Sequence, residues 1–416
     1  MPITMHPQAP SSLSRSDLRY LNLIGWLVVG ALFVVMLQRA GRVDQERDFA
    51  YFYTFGYILN HYPVGSLYDY QLQSHLCAEF QPLHEGVYGP YPYPPFVAAL
   101  SSPFARLSYL AAYALWLAIT LTLYTAGILL LAFRFFPRDR LKQSLVLCFA
   151  LLFWPFAART FLNGQIAAIG FFAMALAVFY EDTSAAFSSG LALSVCLYKP
   201  TLLILILPVL LIVGRYRTLA GFATGAVGLV SLTTILLGPG VWPAYGRMLS
   251  QLGAFRPHLH LDDHVDLYSF SLLISQGALS VQIFLVCVGV AAMAYLVRAA
   301  WLQRIPAQAG PATLLWSATL TWTLLLNLYV PIQDSILILV SLIAAGPALL
   351  RLRRGAFLPI CVALLVLSPF AAFVAAGTSL QLLTLLLGTL AFLQTRLLTG
   401  GAVPCQNFPE PQNWQT

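Results

Sequence analysis

Several residues able to do chemistry stand beside breaks in otherwise apolar sequence. Asp48 opens the aromatic run Phe49, Tyr51, Phe52 and Tyr53, directly after the first membrane-length apolar stretch. A carboxylate at the water edge of a span can take the proton from an attacking hydroxyl as a new bond forms. Its plain alternative is a solvated acid paired with Arg42 or Arg47. Lys199, one of only two lysines, stands between two short apolar runs and precedes Pro200. A cation at the membrane boundary is costly and suits a counter-charge for phosphate, unless it is a lysine snorkelling at a helix end. Arg159, Asn163 and Gln165 form a polar break where amides can bond hydroxyls and a guanidinium can fork onto phosphate oxygens. Asn-Gly is equally a common helix stop. Asp334 lies among apolar residues and suits a cavity wall better than a lipid face.

One later loop, about 239 to 278, is richer still. It holds Arg247 and Arg256, plausible phosphate contacts, and then His258, His260, Asp262, Asp263, His264 and Asp266. Three imidazoles and three acids invite a metal, but their spacing matches no closed zinc pattern, and no metal or cofactor is assigned. Tyr51 and Tyr93 complete the candidate binding set, Tyr93 lying in the proline-rich stretch Tyr88 to Phe96.

The elements that must position these residues are membrane spans. Hydrophobic residues make up 59% of the 416, charged ones 9%, and mean hydropathy is +0.78, which excludes an ordinary soluble domain. The net charge of +7 is scattered between apolar runs rather than gathered in a stripe, so it reports membrane orientation and not nucleic-acid binding. Six cysteines show no paired spacing. Apolar runs follow one another from residue 21 to 398 as a single transmembrane domain of about 12 helices, between cytoplasmic tails at 1–20 and 399–416. Residues 39–95 form the first outer loop and 239–278 the second.

Parity turns on the short run 96–105. If it crosses, Arg134, Arg138, Arg140, Lys142, Arg215 and Arg217 fall outside. If it dips in and returns, every dense basic cluster falls inside, as the positive-inside rule requires. Ten of the 15 carboxylates then lie outside, Asp48 and Asp334 among them, together with Gln165 and Lys199. The four prolines before Phe96 forbid a regular helix there, and irregular backbone at membrane depth implies a cavity wall. The aromatics after Asp48 are expected to rest at the bilayer edge while bordering a bound sugar.

The order of these features resembles glycosyltransferase family 87. Carrying the resemblance are Asp48-Phe49 with its aromatics, Leu67-Tyr68-Asp69, Tyr93-Pro94-Pro95-Phe96 with Pro103 and Trp116, Asn163-Gly164-Gln165, and Lys199-Pro200 followed by Arg215. The resemblance covers about residues 20 to 350 and thins after 217. It implies an all-α, polytopic integral membrane protein with a GT-C-type helical bundle, whose first extracytoplasmic loop carries the catalytic acid. It implies inverting transfer of a sugar, most often mannose, from a polyprenyl-phosphate donor to a lipid or glycan acceptor hydroxyl on the outer face of the cell membrane. Asp48 takes the family's acidic position as general base, and Gly164-Gln165 and Lys199-Pro200 fall on its donor or cavity motifs. Where many members carry His or Tyr beside the late acid, Gln333 precedes Asp334, which makes Asp334 a secondary site. From another class, a transporter or lipid-linked glycan flippase would also use broken short helices, but it would place its polar groups at mid-depth rather than on one face. A ligase is a further alternative among enzymes.

Overall fold

The structure is a computed structural model that describes residues 14–41, 48–80, 90–252, 260–275, 278–304, 312–352 and 354–399. Among these residues every regular element is helical. The first half runs α1 (Arg15–Ala40), α2 (Phe49–His61), α3 (Tyr70–Phe80), α4 (Pro95–Ser101), α5 (Tyr109–Phe135), α6 (Arg140–Leu152), a π-helical turn (Pro155–Leu162), α7 (Ala167–Asp182), α8 (Ala186–Ser194) and α9 (Ile206–Val213). The second half runs α10 (Tyr216–Leu237), α11 (Val241–Gln251), α12 (Leu267–Ser275), α13 (Leu279–Arg304), α14 (Ala312–Leu325), α15 (Ile338–Leu352), α16 (Arg354–Leu367), α17 (Ala371–Thr378) and α18 (Leu382–Thr399).

Seven helical segments are long and apolar enough to cross a membrane: Arg15–Ala40, Tyr109–Phe135, Tyr216–Leu237, Leu279–Ala300, Ile332–Leu350, Phe357–Thr378 and Leu382–Thr399. An eighth candidate is α6 with the π turn, bent by 58°. The bend falls where Pro155 removes a backbone donor. Four further apolar runs are helical but shorter: α7, α14, and the two that meet at Lys199-Pro200, Ala186–Tyr198 and Pro200–Val213. The run 96–105 consists of seven-residue α4 and a 3-10 turn at Phe104–Arg106. At 1.5 Å per residue α4 is about 10 Å long, a third of the hydrocarbon core.

Burial sorts the helices. Only 11% of the apolar window of α1, 11% of that of α10 and 6% of that of α13 is buried, whereas the segment Ile332–Leu350 is 83% buried and forms the bundle's axis. Outward-facing Leu27, Val227, Ile235 and Phe284 make an apolar surface that only lipid solvates, so the protein is an all-α polytopic membrane protein. Inside, small residues replace the hydrophobic drive that is missing between helices in lipid. A Cβ on Gly190 would lie 1.9 Å from the Thr218 carbonyl oxygen, and one on Gly221 would lie 2.0 Å from that of Phe187. The α8/α10 crossing therefore needs glycine on both helices.

The aromatics after Asp48 correct an expectation. Phe49, Phe52 and Tyr53 are buried rather than spread along a bilayer edge, while Tyr51 is half-buried. Phe49 packs on Tyr109, Tyr113 and Trp116 with ring centroids 5.4–5.7 Å apart. Phe52 stacks on Trp116 at 5.4 Å. The reason is the proline-rich segment, which folds over α2. Gln73 accepts the Tyr91 N–H and donates to the Leu67 carbonyl, and Asn60 exchanges two hydrogen bonds with Ser102. Together these rings form a solid pedestal beneath Asp48.

Candidate active site

Asp48 is half-buried at the start of α2. Its position is fixed by its neighbour, since the Phe49 N–H donates to the Asn163 carbonyl at 3.0 Å. Gly164 makes that approach possible. Its φ of +71° is open to glycine at little cost, and a Cβ there would lie 2.7 Å from the Phe49 Cβ. Asn163-Gly164-Gln165 thus holds the Asp48 loop through backbone. Gln165 itself is buried, with its N–H on the Thr160 carbonyl. The Tyr113 hydroxyl donates to the Leu162 carbonyl and secures the same turn.

Two cations reach this end of the bundle, each against a carboxylate distant in sequence. Lys199 pairs with Asp334, and its ammonium also lies 4.8 Å from the centre of the Tyr329 ring. The pair is nearly dry, with side chains 12% and 5% exposed. Lys199 is in place because the chain breaks at 195–203 into two 3-10 turns around Pro200. Arg159, on the π turn, donates from Nη2 to Asp263 Oδ1 at 2.7 Å, and this pair is wetter. Thr160 on the same turn donates to the Gln333 carbonyl at 3.3 Å, which draws the Arg159 and Asp334 segments together.

The second loop is stitched in by its own acids. Asp266, fully buried, accepts the Ser269 and Val330 N–H groups, and the Val265 N–H donates to the Val330 carbonyl. Gln381 holds the Leu261 carbonyl from the turn before α18. His264 is buried, with Nδ1 at 2.8 Å from the His260 carbonyl, so Nδ1 carries the proton. Burial holds its basicity down, so it is neutral near pH 7, and its ring meets Tyr329 edge-on at 4.9 Å. Asp263 is pushed up to about 6 by burial, with the charges of Asp262 and Asp48 adding and Arg159 opposing. The Tyr93 phenol is driven up by burial and by the charges of Asp334, Tyr329 and Asp48 around it. These mutual effects place Asp48, Tyr93, Asp263, Tyr329 and Asp334 in one electrostatic neighbourhood.

Of the residues singled out in the sequence, Asp48, Tyr93, Arg159, Asn163, Lys199 and Asp334 therefore converge, with Gln165 buried behind them. Tyr51 is half-buried on the first turn of α2. Arg247 is exposed on α11, away from the ion pairs, although Tyr245 of that helix reaches the Pro92 carbonyl at 3.4 Å. Arg256 and His258 lie outside the described residues. Among the described residues no three His, Cys, Asp or Glu side chains could together hold a metal ion. Tyr329 was not foreseen as a partner of Lys199, nor Asp263 as that of Arg159. The only signal in the sequence was that each lies in a polar break on the same side.

The fold is that of a polytopic membrane protein whose helical bundle gathers a carboxylate, two cations and several phenols at one end. The profile of glycosyltransferase family 87 matches residues 91–331, more than half of the chain, and the protein belongs to that family. It is a membrane glycosyltransferase, which decides between the transferase and the transporter. Asp48 and Asp334 flank the matched region, whereas Arg159, Lys199 and Asp263 fall inside it. No curated protein matches the chain. No solved structure matches it either.

Proposed function

We propose that the protein transfers a sugar, mannose by the family resemblance, from a polyprenyl phosphate to a lipid or glycan hydroxyl at the extracytoplasmic face of the cell membrane, with inversion. The observation that carries this reading is that the Arg159–Asp263 and Lys199–Asp334 pairs gather at the end of the bundle where the charge of Asp48 acts on Asp263 and Tyr93. The acceptor oxygen attacks the anomeric carbon and its proton passes to the Asp48 carboxylate. The bond from that carbon to the phosphate oxygen breaks, and the electron pair leaves with the polyprenyl phosphate. A departing phosphate needs positive charge that is already in place.

Both cations have carboxylate partners, so the donor phosphate must compete for them. Arg159 is the one able to share. Its guanidinium has five N–H donors and its pair is the more solvated. Lys199, locked by Asp334 and Tyr329, acts as a fixed charge behind it. The fold's alternation puts the basic segments at Arg134 to Lys142 and Arg215 to Arg217 at the opposite end, which supports the outward orientation.

The test uses purified protein in lipid with radiolabelled polyprenyl-phosphate sugars and a membrane lipid extract. Release of polyprenyl phosphate with a new glycolipid is expected, and Asp48→Asn should bind donor but form product far more slowly. Transfer from a nucleotide sugar with none from polyprenyl donors would sink the donor assignment. Full turnover by Asp48→Asn would sink the base.

A further inference from the structure

The imidazole of His264 is pinned beside the Lys199 pair with one of its nitrogens idle. An antiparallel bridge joins its backbone to Pro331. The Val265 N–H donates to the Val330 carbonyl and the Val330 N–H to Asp266, each at 2.9 Å. Its own Nδ1–H goes to the His260 carbonyl. A neutral imidazole has one donor and one acceptor, so Nε2 is the acceptor. The residue is 6% exposed, and among the described residues Nε2 has no hydrogen-bond partner. A buried acceptor left unpaired costs stability, and few are left so without a use. The Tyr198 hydroxyl is unpaired as well, but it is turned to α7, where a Cβ on Gly170 would lie 2.3 Å from it. The His264 ring instead meets that of Tyr329, centroids 4.9 Å apart, and the far neighbour of Tyr329 is the Lys199 ammonium. One partly exposed ring therefore separates the imidazole from the cation.

We infer that Nε2 of His264 accepts a hydrogen bond from one hydroxyl of the transferred sugar as the Tyr329 ring shifts aside, so that His264 helps to set which sugar is used. This inference rests on the polyprenyl-phosphate reading above, in which Lys199 serves the donor phosphate. A hydroxyl is the partner that the chemistry selects. Phosphate oxygens are acceptors only and have nothing to give to a second acceptor, whereas a hydroxyl can donate. The donor sugar is favoured over the acceptor molecule because it is bonded to the phosphate that Lys199 faces.

Two amides separate this role from a structural one. In His264→Asn an amide N–H takes the place of Nδ1–H on the His260 carbonyl, and nothing stands where Nε2 was. In His264→Gln the amide oxygen reaches the place of Nε2, and the bond to His260 is lost. The donors are polyprenyl-phosphate mannose and its 2-, 3-, 4- and 6-deoxy analogues, with a membrane lipid extract as acceptor. The wild type should disfavour one analogue about tenfold in kcat/KM, the loss of one hydrogen bond. His264→Asn should keep the wild-type Tm and lose that discrimination. His264→Gln should keep most of the discrimination even where its Tm falls. Discrimination no better in His264→Gln than in His264→Asn, or equal use of every analogue by the wild type, overturns the assignment while polyprenyl-dependent transfer still stands. No transfer from polyprenyl-phosphate mannose itself would remove both readings.

Discussion

The two ends of the bundle hold their charges in opposite ways. At the basic end, Arg134 meets Asp182 at 2.5 Å, Lys142 meets Asp139 at 2.7 Å within one helical turn, and Arg215 reaches Glu181 at 3.3 Å. The three cations there are 43–50% exposed. At the other end, Lys199 and Asp334 are 135 residues apart and almost fully buried, and Arg159 and Asp263 are 104 apart. A solvated pair costs little and contributes about 0–1 kcal/mol. A dry pair forfeits hydration that its attraction scarcely restores. Among the described residues only the Lys199–Asp334 pair has both members kept from water, and it lies at the end of the bundle that holds Asp48.

The comparison breaks most sharply under loss of an acid. Asp48→Asn should lower transfer about 10²–10⁴-fold, the usual contribution of a positioned base, with donor binding retained in a filter assay. Glu181→Gln, at the basic end, should change turnover by less than about threefold, because its carboxylate meets Arg215 and Thr218, both at that end, among the described residues. Equal losses at both ends would dissolve the distinction.

Stability should separate the ends next. Lys199→Ala leaves Asp334 buried without its cation and should cost about 3–5 kcal/mol in denaturant unfolding in detergent. Arg134→Ala should cost no more than about 1 kcal/mol. Adding Asp334→Ala to Lys199→Ala should recover much of the stability without restoring the donor KM, since the fixed charge is still missing. Recovery of both would make the pair purely structural.

Much of this layout was legible beforehand. Apolar runs gave the helices because lipid admits little else, and the scarcity of carboxylates and lysines singled out Asp48 and Lys199. Partner choice was not legible: nothing local to Lys199 names Asp334, and nothing local to Arg159 names Asp263. The aromatics of α2 were ambiguous for a different reason. Phe and Tyr suit a bilayer edge and a packed core equally, and the folding of the proline-rich segment over them decided for the core. Likewise nothing in the apolar sequence 144–162 announces the bend at Phe153 to Pro155 that aims Arg159 at Asp263.

Gly164 tests how rigidly the site end must be held. Gly164→Ala puts a Cβ at positive φ and against the Phe49 Cβ, and should cost about 1–3 kcal/mol. Because the strain falls on the contact that places Asp48, kcat should fall further than stability would explain. Alanine at Gly214, also at positive φ but at the basic end and 3.7 Å from only the Tyr216 ring, should cost stability without that extra loss.

The smallest effect concerns pH, and its sign follows from Asp263. Burial raises its carboxyl from 3.8 to about 6, so between those values the folded protein binds a proton that the unfolded chain has released. This group therefore costs stability as pH rises through that window, and Asp263→Asn should flatten the slope there. Donor binding should move in the same direction. Below about pH 6 the protonated acid loosens its hold on Arg159, which becomes available to the donor phosphate, so the donor KM should fall as the pH drops through that value. Asp263→Asn should fix KM at its low-pH level across the range, while Asp182→Asn, removing the solvated partner of Arg134, should leave the profile as in the wild type. A KM profile unaltered by Asp263→Asn would mean that Arg159 does not exchange its carboxylate for the donor, and that the wetter pair is as fixed as the dry one.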